Sequence, residues 1–222
     1  CLGFAYFQAY SNTYADLDAL KEIYGPFIKD PTVTGISIAT RADCLDDEKL
    51  AYFDSLAKQK EVWIELGLQS IHEKMCNRQH STQIVEDTVN KLKQTSIKSC
   101  VHIMNSLPYE TKEMMLETAR WIANCKPDAI KIHMLHILQG TQMALQFFNE
   151  KFSLLSIEDY VDIVIRQLEV LPPDLIIERL TGDGMANDLI EPQWTIKKTI
   201  VLNEIDKEMV RRNTWQGKYY KK

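Results

Sequence analysis

The chain has 222 residues, of which 45% are hydrophobic and 26% are charged. This globular composition excludes a disordered, collagen-like or low-complexity protein. The formal net charge of −5 excludes a molecule that binds polyanions with its whole surface. No apolar run reaches the roughly 20 residues of a membrane-spanning helix. We expect a cytoplasmic protein without a signal peptide, whose native N-terminus lies upstream of Cys1.

Six short apolar runs are predicted to be strands, because they are rich in β-branched and aromatic residues and are bounded by turn residues. In chain order they cover residues 4–10, 33–40, 62–69, 100–105, 129–138 and 175–180. The stretches between them have helical spacing, as at Leu17, Leu20 and Tyr24. Thr111 and Ser156 are predicted to cap two of these helices.

A strand and a helix alternate about every 30 residues, which favours a parallel α/β sheet. Six such units favour a full or partial (β/α) barrel over a doubly wound sheet. Glu65, Gly67 and Gln69 place polar or small residues at alternate positions of one strand. Strands covered by helices on both faces are normally apolar throughout, whereas a barrel with a functional lumen tolerates this alternation. We predict a barrel domain over residues 1–171 and an extension packed on it over 172–222.

Polar residues are concentrated where the predicted strands end, which is where (β/α) barrels carry their chemistry. Individually they could be helix caps or satisfied core residues, but collectively they favour a functional site. The candidates are Gln8, Ser11, Asn12, Thr13, Thr40, Arg41, Asp43, Glu65, Gln69, Ser70, His102, Asn105, His133, His136, Glu178 and Arg179.

His133 and His136 are three residues apart on a predicted strand, so we expect them to face opposite sides and not to bind one metal together. Lys131 shares a face with His133, and a lysine inside a barrel strand can form a Schiff base. A Schiff-base lyase is therefore an alternative function. The five cysteines are too far apart for a metal motif, which favours free thiols.

The segment 194–222 has eight basic and three acidic residues, a charge of +5. We expect one amphipathic helix followed by a frayed tail, with RNA binding as the alternative.

Seven motifs in this order resemble the radical S-adenosylmethionine superfamily, within a bacterial group similar to the Elongator catalytic subunit and to oxygen-independent coproporphyrinogen oxidase. The motifs are FQAYSNTYA, SIATRADCL, WIELGLQSIHEK, HIMNSLPYETKEMMLETA, IKIHMLHILQGTQMA, ERLTGDG and RRNTWQGK. The resemblance implies a partial, six-stranded (β/α) TIM-like barrel. It also implies a [4Fe–4S] cluster, held by a three-cysteine loop after the first strand, that reduces S-adenosylmethionine to methionine and a 5′-deoxyadenosyl radical.

FQAY matches the second strand of that family, so the first β/α unit and the cluster ligands are expected upstream of Cys1. The resemblance implies that Ser11, Asn12 and Thr13 hold the amino end of the cosubstrate. It assigns the cosubstrate carboxylate to one or more of Arg41, Gln69 and Arg78. It places Asn105, His133 and His136 near the sugar and adenine.

The chain departs from the family pattern at three positions. Arg78 lies about one helical turn too close to Gln69, Ser106 replaces a glycine, and Ala42 replaces a proline. The resemblance implies an iron–sulfur oxidoreductase that starts hydrogen abstraction from a small molecule or tRNA, with flavodoxin or ferredoxin as electron donor. The alternatives are the Schiff-base lyase and a binding domain without catalysis.

Overall fold

A computed structural model describes residues 2–76, 80–150, 152–182 and 187–221. The strands within these ranges are β1 (Gly3–Phe7), β2 (Val33–Thr40), β3 (Glu61–Gln69), β4 (Lys98–Asn105), β5 (Ala129–Met134), β6 (Ile137–Leu138), β7 (Ile176–Arg179) and β8 (Leu189–Glu191). The α-helices are α1 (Leu17–Lys29), α2 (Asp47–Ala57), α3 (Thr82–Leu92), α4 (Lys112–Cys125), α5 (Gln142–Glu150), α6 (Ile157–Val170) and α7 (Lys198–Arg211). No described helix is long and apolar enough to cross a membrane.

The main sheet contains six parallel strands in the order β1-β2-β3-β4-β5-β7. Its register aligns Tyr6 with Ser37 and Ala39 with Glu65. The sheet and its alternating helices confirm the predicted α/β class with parallel strands. Strand β7, predicted as part of a C-terminal extension, lies beside β5 in this same sheet.

The predicted strand over residues 129–138 is two strands in the structure. β5 ends at Met134, and β6 pairs antiparallel with β8 in a separate two-stranded sheet. A continuous apolar run does not reveal that its two halves have different partners, which explains the difference.

Two helix starts agree with the sequence. The Thr111 hydroxyl accepts a hydrogen bond from the Met114 amide at 3.3 Å, and the Ser156 hydroxyl accepts one from the Asp159 amide at 3.2 Å. Each bond satisfies an amide that has no partner within its own helix. The caps therefore fix where α4 and α6 begin.

The chain contains two compact units. The first comprises Cys1–Leu68, Arg78–His102 and Pro127–Ala129, and the second comprises Gln69–Asn77, Ile103–Lys126 and Ile130–Lys222. The predicted boundary between residues 171 and 172 stays a prediction.

Each unit has its own apolar core. In the first unit the Tyr24 ring of α1 packs edge-on against Phe7, with ring centroids 4.9 Å apart. In the second unit Met115 and Leu116 of α4 pack with Ile163 of α6. Burying a large apolar side chain contributes about 1.5–3 kcal/mol, so these contacts anchor the helices to their units.

The expectation of a frayed C-terminal tail is wrong for the described residues that follow α7. The amides of Gly217 and Tyr219 donate to the carbonyls of Leu168 and Glu169, at 3.0 and 2.8 Å. The Thr214 hydroxyl also donates to the Glu169 carboxylate at 2.6 Å. The last carbonyls of a helix have no partner within it, so the tail stays docked by satisfying those at the end of α6.

Candidate functional site

In the first unit, the predicted Asn12 and Thr13 side chains hold the loop after β1. The Asn12 amide donates to the carbonyls of Phe7 and Ala39 at 3.0 and 2.9 Å. The Thr13 hydroxyl lies 2.6 Å from that of Thr40 and is fully buried. The loop is therefore fixed to the end of β2. Whether its backbone and Ser11 meet a cosubstrate stays a prediction.

Arg41 directly follows β2 and is paired with Asp43. Its Nε atom lies 2.9 Å from Asp43 Oδ1, and a second guanidinium nitrogen contacts Oδ2. The hydrogen bond from Arg41 is the main cause that lowers the pKa of Asp43. Because 36% of the Arg41 side chain is exposed, an incoming carboxylate can reach the guanidinium and compete with Asp43.

Glu65 is the centre of a buried polar cluster in the first unit. Its carboxylate accepts from the Tyr6 hydroxyl at 3.0 Å and from the Ser37 hydroxyl, and it lies 2.7 Å from His102 Nε2. Only 3% of the Glu65 side chain is exposed. A buried carboxylate needs such partners, because an uncompensated charge is very costly in the interior.

The sequence identified Glu65 as one of the alternating polar or small residues of its strand, but it did not predict the partners of its carboxylate. The signal for Ser37 and His102 lies in the strand order, which places same-face residues of neighbouring strands side by side.

In the second unit, Gln69 ends β3 with a left-handed backbone, at φ +59°. Its side chain is half-buried and forms no hydrogen bond with another described residue. A non-glycine residue in this conformation costs about 1–3 kcal/mol and persists only where its surroundings impose it. The Gln69 amide is thus held at the end of a strand with its hydrogen-bonding groups available to a ligand.

The residue after Gln69 is part of a buried hydrogen-bond network. The Ser70 hydroxyl is fully buried and donates to the Glu110 carboxylate at 2.7 Å. It also accepts from the His72 amide at 3.1 Å, and it lies 3.4 Å from the Thr118 hydroxyl. Burial is the main cause that raises the pKa of Glu110 to about 7. The sequence did not identify Glu110, since a single glutamate in a loop carries no pattern.

The turn after β4 also has left-handed residues, Ser106 at φ +70° and Tyr109 at φ +65°. This agrees with the family preference for glycine at position 106, since glycine adopts the conformation without strain. The Ser106 hydroxyl accepts from the Leu155 amide at 3.1 Å, a bond that glycine does not offer.

The Asn105 side chain is paired with Gln167 of α6. Each amide donates to the other, at 2.9 and 2.8 Å, and both residues are buried. The side chain of Asn105 therefore holds β4 to α6. A contact of its turn with the sugar or adenine stays a prediction.

The expectation that His133 and His136 face opposite sides is wrong. A Cβ atom added to Gly182 would lie 3.2 Å from the His136 ring and 3.5 Å from the His133 ring, so both rings approach one point. β5 ends at Met134, and His136 lies beyond it where strand alternation no longer applies. Gly182 leaves the space that both imidazoles occupy.

Lys131 is buried and forms an ion pair with Glu178, with Nζ 3.2 Å from the carboxylate. The pair stabilises the charged ammonium, whereas a Schiff-base nucleophile must be neutral. This contact disfavours the lyase alternative.

The described residues do not fit an iron–sulfur cluster. Among them, no group of three or more histidine, cysteine, aspartate or glutamate side chains is arranged to hold a metal. Cys44, Cys76, Cys100 and Cys125 form no disulfide with a described residue. The Arg41 guanidinium and the Gln69 amide are each donors of the kind that bind carboxylates, and their contact with a cosubstrate stays a prediction. Arg78, the third candidate for that contact, lies outside the described residues.

Two family models match the chain. The model of the radical SAM superfamily covers residues 1–122, and that of the radical SAM C-terminal domain covers residues 127–211. The chain is also 43% identical over 221 residues to the uncharacterized protein YtqA of Bacillus subtilis. That alignment covers 98% of this chain and 69% of YtqA.

More distant similarity extends to an archaeal acetyltransferase and to a solved structure. The chain is 25% identical over 165 residues to a tRNA uridine(34) acetyltransferase of Methanocaldococcus infernus, covering 70% of this chain and 30% of that enzyme. Among solved structures, Elp3 of M. infernus with an N-terminal deletion matches with a TM-score of 0.75 and 20% identity. The match covers 89% of this chain and 46% of Elp3. It identifies the fold as the predicted partial (β/α) TIM-like barrel.

Proposed function

Because this chain belongs to the radical S-adenosylmethionine superfamily, we propose that it binds S-adenosylmethionine and forms the cosubstrate-binding part of an iron–sulfur oxidoreductase. The chain spans about two thirds of YtqA, and the activity of the whole protein is part of this proposal.

The main support for this proposal is the environment of the Gln69 side chain. Its amide stands at the end of a barrel strand, has no hydrogen-bond partner among the described residues, and is fixed by a left-handed backbone. An amide group can both donate to a carboxylate and accept from an ammonium, the two charged groups at the amino-acid end of S-adenosylmethionine. Holding this donor and acceptor in place before binding lowers the entropic cost of binding.

Other residues of each unit, taken by itself, are also predicted to contact the cosubstrate. The Arg41 guanidinium would exchange Asp43 for the ligand carboxylate, and the backbone after β1 would meet the ammonium. When bound and cleaved reductively, S-adenosylmethionine supplies the hydrogen-abstracting chemistry that the resemblance implies. His133 and His136, whose rings both approach Gly182, would lie beside the adenine.

The substrate class stays open between a small molecule and tRNA, with flavodoxin or ferredoxin proposed as electron donor. One observation favours tRNA. The ammonium group of Lys218 lies over the rings of Trp215 and Tyr219, 5.2 and 5.5 Å from their centroids, and Trp215 is 56% exposed. Exposed aromatic rings interleaved with cations suit the stacking of unpaired bases next to phosphates.

Calorimetric titration of the cluster-loaded, full-length protein with S-adenosylmethionine tests the proposal. We expect measurable binding, which Gln69→Ala weakens about tenfold, the effect of one hydrogen bond of roughly 1.4 kcal/mol. Gln146→Ala alters a half-buried glutamine of α5 whose side chain donates to Glu150, and it is the matched control. Absence of binding by the wild-type protein, or equal binding by the Gln69→Ala variant, would overturn the assignment of Gln69.

A further inference from the structure

We propose that Glu110 is a positioning residue for S-adenosylmethionine, and that it acts through Ser70 on the backbone of Gln69. This inference rests on the proposed function. Glu110 is distinct from the strand-end residues that the family resemblance assigned, and it reaches the ligand only through its neighbours.

The backbone of Gln69 is strained. Its left-handed backbone is disfavoured for a residue with a Cβ atom, so neighbouring contacts must impose it. Ser70, the next residue, is fully buried and is held by hydrogen bonds on both sides. It donates to Glu110 and accepts from the His72 amide. A change at Glu110 is therefore transmitted directly to the peptide that follows Gln69.

The Glu110 carboxylate is the acceptor of its side-chain hydrogen bonds. Two donors point at the Glu110 carboxylate, the Ser70 hydroxyl at 2.7 Å and the Leu107 amide at 3.4 Å. An ionised carboxylate accepts both bonds, whereas a protonated one has a hydrogen on one of its two oxygens. The observed arrangement thus fits the ionised form, and protonation weakens the link to Ser70 or to Leu107.

Ionisable side chains on the adjoining segments have partners of their own. His72 lies on the segment after β3, and its Nε2 is 3.2 Å from the Glu117 carboxylate of α4. Lys112, also on α4, is paired with Asp159 at 2.6 Å. Burial raises the pKa of Glu110 to about 7, and the two bonds from Ser70 and Leu107 oppose that rise. The hydrogen bonding of Glu110 therefore changes near neutral pH.

Equilibrium binding of S-adenosylmethionine to the cluster-loaded, full-length protein at pH 6 and pH 8 is the direct test. We expect the wild-type dissociation constant to fall severalfold between pH 6 and pH 8. Glu110→Gln places an amide nitrogen where one acceptor is needed, so it should bind about tenfold more weakly at pH 8 and lose much of the pH dependence. Glu113→Gln changes an exposed carboxylate three residues further on and should behave as the wild type.

A double-mutant cycle separates positioning from general stability. If Glu110 acts through Gln69, Glu110→Gln should have almost no further effect on affinity in the Gln69→Ala background. An additive effect would overturn the proposed route through Gln69.

Thermal unfolding gives a second readout that needs no ligand. A carboxyl group whose pKa is raised by folding adds to the free energy of unfolding at pH values below its unfolded pKa near 4.3. This contribution is lost as the pH rises through the folded pKa of about 7. The melting temperature of Glu110→Gln relative to the wild type should therefore increase between pH 5 and pH 8. A constant difference would contradict the buried, titrating state of Glu110.

The outcomes distinguish the two proposals. No binding by the wild-type protein would overturn the proposed function and this inference with it. Binding by the wild type that Glu110→Gln leaves unchanged at both pH values would overturn the role of Glu110 alone. If Glu110→Gln is too unstable to assay, Ser70→Ala breaks the same link and should weaken binding in the same way.

Discussion

The Glu65 carboxylate lies 2.7 Å from the Nε2 atom of His102, and this contact joins β3 to β4 inside the first unit. Tyr6 of β1 and Ser37 of β2 complete the cluster, so one buried carboxylate connects four neighbouring strands. Such a fully hydrogen-bonded polar group specifies strand register as well as contributing stability. The cluster around Glu65 therefore helps to hold the barrel strands in position.

The Tyr6→Phe variant tests the stabilising role of this cluster. It removes only the hydroxyl that donates to Glu65, and a hydrogen bond to a charged group contributes about 1.5–3 kcal/mol when buried. Because Tyr6 is 41% exposed, we expect a loss near the lower end of that range in urea unfolding. Tyr14→Phe, at a tyrosine that is 79% exposed, is the control and should change little. Equal stability of the two variants would contradict the role given to the cluster.

The Gln167→Met variant tests whether Asn105 is structural. Methionine keeps the length of the side chain but leaves the Asn105 amide and the Met115 carbonyl without their partner. Each unsatisfied buried group costs about 1–3 kcal/mol, so we expect a loss of roughly 3 kcal/mol in urea unfolding. Gln146→Met changes a half-buried glutamine whose side-chain hydrogen bond to Glu150 is an exposed one, so it should stay within about 0.5 kcal/mol of the wild type. A small effect of Gln167→Met would show that water replaces the amide.

The Arg41→Ala variant distinguishes ligand binding from a structural role. The side chain is partly exposed and paired with Asp43, so its removal should hardly change the melting temperature. Loss of a charged hydrogen bond to the ligand should weaken S-adenosylmethionine binding roughly 10- to 100-fold in the cluster-loaded, full-length protein. Unchanged affinity together with a large fall in melting temperature would reject Arg41 as a ligand residue.

The tRNA alternative predicts a salt-dependent affinity carried by the C-terminal segment. Arg211 and Arg212 are both paired with Glu208, so they are poor choices for this test. Lys218→Ala combined with Lys221→Ala should reduce the slope of log affinity against log salt by about one to two units. Undetectable tRNA binding, or a slope that the two changes leave intact, would favour a small-molecule substrate.

Much of the fold was predictable because apolar periodicity reports burial directly. The long strands and the caps at Thr111 and Ser156 have strong local signals. β6 and β8 were missed because strands of two or three residues have no measurable period. The docked tail was missed because it depends on unsatisfied carbonyls at the end of α6, about 50 residues earlier in the chain.

The candidate site was predictable as a set of polar strand ends but not in its contacts. Glu65 and His102 are 37 residues apart, and only the strand order brings them together. The arrangement of His133 and His136 depends on the residue at which β5 ends, which alternation does not encode. Glu110 requires knowledge of burial, since its hydrogen bond to Ser70 joins positions 40 residues apart.

The most direct test of the account is anaerobic iron–sulfur reconstitution of the full-length protein, followed by incubation with dithionite and S-adenosylmethionine. We predict a brown protein that absorbs near 400 nm and releases 5′-deoxyadenosine, whereas the 222-residue chain alone should assemble no cluster, because its cysteines lack the spacing to converge on one. A full-length protein that forms no cluster, or that forms one without cleaving S-adenosylmethionine, would contradict the proposed function.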